Sequence, residues 1–135
     1  MRFFLFTDGA SRGNPGPAGA GALLKDEKGK VLMEASQFLG RMTNNEAEYR
    51  ALLFGLVKAA TEVRGKTLVV LMDSELVVSQ LKGIYRMKAA HLRGLLMEVK
   101  IKEREFGEVI YKLIPREKNS RADELANEAL DKARA

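Results

Sequence analysis

The 135-residue chain is 46% hydrophobic and 30% charged, enough for one globular domain, residues 1–135, with a buried core. It has no cysteine and one histidine, His91, which excludes disulfides, thiolate nucleophiles and cysteine- or histidine-rich metal sites and leaves metal chemistry to carboxylates, ligands that suit Mg²⁺ or Mn²⁺. The net charge of +5, from 23 basic and 18 acidic residues, favours a polyanionic partner.

Met1 and Arg2 precede only four apolar residues before Thr7 and Asp8, which is unlike a signal peptide. No run approaches the roughly 20 apolar residues of a membrane helix. A soluble, cytoplasmic protein is expected. Residues 2–8, RFFLFTD, predict a strand closing on Thr-Asp-Gly. A Gly/Pro-rich loop follows over 11–19, and strands over 20–26 and 30–40 flank the turn Asp26-Glu27-Lys28-Gly29. Tyr49, Leu52, Leu53, Leu56, Ala60 and Val63 share one face of a helix over 44–63. Thr43-x-x-Glu46 forms a capping box at its start. The continuous apolar run TLVVLM, 67–72, predicts a strand buried on both faces, as in a parallel sheet. A short helix follows Asp73. A helix over 88–105 carries the stripe Leu92, Leu95, Leu96 and Val99, and a strand spans 108–114. The last helix, 120–133, uses Ala122, Leu125, Ala126, Ala129 and Leu130. Three strands followed by alternating helix and strand imply a mixed α/β fold, an antiparallel meander extended by parallel strands with helices on the faces. Ligands in such sheets bind beyond the carboxyl ends of the parallel strands.

Four acids stand where chemistry could use them, and each also has a structural explanation. Asp8 precedes Gly9 in a common turn pair. Asp73 stands where a helix cap belongs. Glu48 favours the dipole of the long helix, and Ser120-x-x-Asp123 approximates a capping box. Their joint placement says more. Asp8 and Asp73 end the two most apolar strands, and parallel neighbours would bring both carboxylates to one edge. Glu48 shares a helix face with Leu52 and Leu56, which points it toward the sheet. Carboxylates that close repel one another, and one or two Mg²⁺ would relieve the repulsion. Two ions about 4 Å apart can drive phosphodiester hydrolysis.

The segments FTDGASRGNPGPAGAGA, TNNEAEYRALLFGL, VVLMDSELVVSQL and NSRADELANEAL resemble, in order, the four signature segments of type 1 ribonuclease H. The resemblance spans residues 2–130. It implies a five-stranded mixed sheet, three antiparallel then two parallel strands, with helices on both faces. It also implies an endonuclease that hydrolyses the RNA strand of RNA–DNA hybrids with two Mg²⁺ (or Mn²⁺) ions, leaving 5′-phosphate and 3′-hydroxyl ends; a monomer with no obligate protein partner is expected. By that likeness Asp8 bridges both ions, Glu48 and Asp73 hold one, and Asp123 holds the other. Gly9, Ser11, Asn14, Thr43, Asn44, Asn45 and Asn119 match substrate-contacting positions. Glycines allow close approach of main-chain N–H groups, and amide side chains can read the 2′-hydroxyl that separates RNA from DNA.

Two features depart from the bacterial pattern. The loop IPREKNSRAD lacks the histidine that many relatives carry before the last acid, and Arg116 is the nearest replacement. His91 reads as a surface or packing residue. The basic handle with its tryptophans is missing, since the chain has no Trp; Lys82, Arg86, Lys88 and Arg93 are the cations left in that region. Two other readings are a hybrid-binding module without activity, which would lack an acid, and another nuclease on the same fold, against which the pair Asn44-Asn45 argues.

Overall fold

A computed structural model describes residues 1–84 and 86–134. Strands β1 (Arg2–Ser11), β2 (Gly16–Lys25) and β3 (Val31–Met42) come first, followed by helix α1 (Asn44–Val63). Strand β4 (Thr67–Met72), helices α2 (Glu75–Leu81) and α3 (Ala90–Glu103), and strand β5 (Glu108–Leu113) follow. A 3-10 turn, Arg116–Lys118, leads into helix α4 (Ser120–Arg134). The sheet order is β3-β2-β1-β4-β5, with β1–β2 and β2–β3 antiparallel and β1–β4 and β4–β5 parallel.

The predicted periodicities appear as burial. Leu52, Leu56, Ala60 and Val63 of α1 are buried, as are Ala122, Leu125, Ala126, Ala129 and Leu130 of α4. Most of β4 is enclosed, as a strand between two parallel neighbours should be. Side chains alternate across a strand, so adjacent residues of β2 report the two faces. A Cβ on Gly21 would come within 2.0 Å of the Ala122 carbonyl oxygen of α4, while the Ala22 methyl faces Gly55 of α1. The two helices therefore clasp the sheet from opposite sides. The main core, with Leu5, Leu24, Tyr49, Leu52, Leu68 and Val70, lies on the α1 side.

The sequence-based boundaries need two corrections. β1 runs three residues past Asp8, and Asp8 is paired with Gly21 inside the ladder rather than ending the strand. Gly16 to Gly19, read as loop, belong to β2. A Cβ on Gly19 would approach the Ala126 carbonyl oxygen to 2.3 Å, so this glycine makes room for a helix rather than for a turn.

Candidate active site

The parallel pairing of β1 with β4 ends at Phe6↔Leu71, and Asp8 and Asp73 stand the same two positions beyond it. The strands separate there, and the two carboxylates emerge into one opening. Asp73 does not cap α2. Ser74 does, accepting the Val77 N–H at 3.3 Å, which leaves the Asp73 carboxylate for other work.

Glu48 reaches the same place from α1. Thr43 caps the helix and forms the capping box with Glu46, as predicted. Glu48 lies two residues on, about 200° around the axis, so it turns to the sheet where Glu46 cannot. Its residue is 7% exposed, and its Oε1 accepts the Gly9 N–H at 2.6 Å. Gly9 is obligatory for that approach, since a Cβ there would sit 2.2 Å from the Ala47 carbonyl oxygen. The main-chain N–H of Gly9 is thus given to Glu48, not to a ligand.

One oxygen each from Asp8, Glu48 and Asp73 falls within 4.8 Å of the others. Asp123, on the first turn of α4, joins the same cavity of about 380 Å³ from the other side, next to Asp8. Arg116 also lines it, carried by the 3-10 turn, and its charge partly offsets the burial of Glu48. Asn119 departs from its expected role. It is 1% exposed and bound inward, its Nδ2 donating to the Thr7 carbonyl at 3.0 Å and to Asp73 Oδ2 at 2.9 Å. It therefore ties Asp73 to β1 and is not open to a substrate.

Burial pushes the Asp8 carboxyl well above the carboxylate range, and the neighbouring Glu48, Asp123 and Asp73 push it further. Burial likewise lifts Glu48, against the lowering effect of the Gly9 N–H. Oε2 of Glu48 is buried without a hydrogen-bond partner among the described residues. Crowded carboxylates with an unpartnered oxygen and no cysteine or imidazole among them suit a hard divalent cation.

The remaining candidates line the rim. Ser11 Oγ donates to the Gly13 carbonyl and, at 3.1 Å, to the Met42 carbonyl. Asn14 Oδ1 accepts the Asn44 N–H at 3.0 Å, which joins the β1–β2 turn to the start of α1. Asn44 and Asn45 line both the acidic cavity and an adjoining groove that holds Asn14 and Thr43. His91 lies on that groove too, with Nε2 4.0 Å from Glu46 Oε1 and its side chain 61% exposed. It is a surface residue as expected, but its proximity to Asn14 and Asn44 was missed, because sequence distance says nothing of where α3 begins in space.

Residues 6–129 match the model of a family described as reverse transcriptase-like. The ribonuclease HI of Halobacterium salinarum is 41% identical over 98% of this chain and 66% of its own length. The solved structure of LC11-RNase H1, in complex with an RNA/DNA hybrid, is 42% identical, covers 98% of this chain and 99% of its own, and superposes with a TM-score of 0.93. The chain belongs to the type 1 ribonuclease H family. A bifunctional protein of Mycobacterium tuberculosis is 42% identical over 98% of this chain but only 36% of its own length. The chain thus spans about a third of the first curated relatives it matches. Among the described residues, no helix is long and apolar enough to cross a membrane.

Proposed function

We propose that residues 1–135 form a catalytic domain that hydrolyses the RNA strand of RNA–DNA hybrids, leaving 5′-phosphate and 3′-hydroxyl ends, with two Mg²⁺ or Mn²⁺ ions held by Asp8, Glu48, Asp73 and Asp123. The observation that carries this reading is the convergence of Asp8, Glu48 and Asp73 to within 4.8 Å, with a buried Glu48 oxygen that has no hydrogen-bond partner among the described residues. When bound, such ions would supply charge neutralisation and Lewis-acid polarisation at a phosphodiester.

The chain's own residues account for the rest. Asp8 stands centrally between Glu48 and Asp123, the place for a carboxylate shared by two ions. Asn119 and Gly9 hold Asp73 and Glu48 in place by hydrogen bonds from the interior. Asn14, Asn44 and Asn45 offer amides along the rim to riboses and phosphates, the kind of contact that distinguishes RNA from DNA. Arg116 adds a positive charge beside the cavity. The LC11 relative was solved with an RNA/DNA hybrid, which supports the same substrate class here. A hybrid labelled at the 5′ end of its RNA tests the reading: products should carry 3′-hydroxyl ends, and cyclic phosphate ends would refute the metal-dependent route.

A further inference from the structure

Asp123 stands apart from the close trio of Asp8, Glu48 and Asp73, and it is carried by a helix rather than by the central strands. Its orientation has a source outside the cavity. Asn127, one turn further along α4, donates its Nδ2 to the Asp123 carbonyl at 3.0 Å and to Asp123 Oδ1 at 3.4 Å. The other end of that amide is occupied too, because Asn127 Oδ1 accepts from Arg12 Nη2 at 3.2 Å. The same Nη2 is held by Asp131 Oδ1 at 2.8 Å. A guanidinium has only donors, so it fixes which end of the amide faces it and leaves the NH₂ end for the carboxylate. Arg12 itself sits in the turn between β1 and β2, between Ser11 and Asn14, and its N–H is anchored on the Pro17 carbonyl at 2.8 Å.

We infer that Arg12 and Asn127 are positioning residues for Asp123, forming a relay that ties the orientation of the fourth acid to the seating of the rim turn. The inference rests on the reading of the four acids as the ion-holding set. A strap that merely docked the turn on α4 would need only the Arg12–Asp131 pair. The intervening amide is what extends the link to Asp123. Outer partners that orient an ion's ligands affect ion affinity without touching the ion.

The test follows the backbone amides of Asp123 and Gly9 by NMR while Mg²⁺ is titrated into the wild type, Arg12→Met, Asn127→Ala and the double variant. Gly9 reports on the trio through its bond to Glu48. Each single variant should raise the Mg²⁺ concentration at half-shift for Asp123 by about tenfold, the low end for loss of an outer partner. Gly9 should keep its midpoint to within about twofold, and the double variant should be no worse than the worse single one, as members of one relay should be. An Asp123 amide that does not respond to Mg²⁺ in the wild type, an unmoved Asp123 midpoint, equal shifts at both reporters, or additive losses would each overturn the relay. Cleavage of an RNA–DNA hybrid by the wild type, measured alongside, tests the functional reading separately.

Discussion

Glu48 and Gly9, thirty-nine residues apart in the chain, meet through a 2.6 Å hydrogen bond from the Gly9 N–H to Glu48 Oε1. The bond locks the first turns of α1 onto the strand that carries Asp8, so two carboxylates that repel each other are held together by the backbone between them. Glu46, two residues earlier, does a different job, accepting the Thr43 N–H at 3.4 Å in the helix cap. Glu46→Gln should keep most activity and cost at most about 1 kcal/mol of stability, the scale of a cap. Glu48→Gln should leave the fold intact and remove most activity. Paired melting curves and cleavage assays decide, and reversed outcomes would mean that the wrong face of α1 has been assigned to the site.

The burial and crowding of Asp8 should appear in stability against pH when no metal is added. In the folded state Asp8 and Glu48 hold protons that the unfolded chain gives up above the ordinary values of 3.8 and 4.5. The folded state then binds more protons, so stability falls as pH rises, through about 7 for Glu48 and about 10 for Asp8. Asp8→Asn removes the larger part of that loss. In chelator at pH 8 the variant should melt at least about 4 °C higher than wild type, the effect of about 1 kcal/mol in a domain of this size. At pH 4 the gain should vanish, and Mg²⁺ should raise the wild type more than the variant. An equal gain at both pH values would show that ionisation of the buried, crowded Asp8 carboxyl is not the cause.

Arg116→Ala should lower turnover by up to about a hundredfold, the low end for removing one electrostatic stabiliser, without abolishing it, because the residue contributes charge beside the cavity. The Michaelis constant for a hybrid should change less than turnover does. Full activity in the variant would remove Arg116 from the site.

Gly21→Ala should cost about 2 kcal/mol or more by overpacking, since the new methyl would meet the Ala122 carbonyl oxygen at 2.0 Å. Ala122 precedes Asp123, so the displacement of α4 should also weaken Mg²⁺-dependent activity. Thermal melts and Mg²⁺ titrations of cleavage measure both, and a variant as stable as wild type would contradict the close sheet–helix approach.

Much of this was legible in the sequence for physical reasons. The apolar run Thr67–Met72 suggested a strand covered on both faces, and the 3.6-residue spacing from Leu52 to Val63 set which face of α1 is buried and so where Glu48 points. Glycine misled where it serves packing. Gly19 and Gly21 read as loop or plain strand, but they are the gaps into which α4 fits, and that need exists only once the helix is in place. Asp8 looked like a strand end because Asp-Gly is a turn pair, yet β1 continues beside β2 after leaving β4. Asn119 was given a substrate contact by the family resemblance alone; its burial rests on bonds to Thr7 and Asp73, 112 and 46 residues away in the chain. Arg12 and Asn127 lie within two of the quoted segments, but nothing in the sequence says that the two side chains meet.

The central claim is strand-selective hydrolysis at the carboxylate cluster. It is tested most directly by incubating the protein with Mg²⁺ and matched RNA–DNA and DNA–DNA duplexes, with each strand labelled in turn. Cutting of the RNA strand of the hybrid alone, stopped by chelator and absent in Asp73→Asn, is the predicted result. Comparable cutting of the DNA strand, or an intact hybrid with a folded wild-type protein, would contradict it.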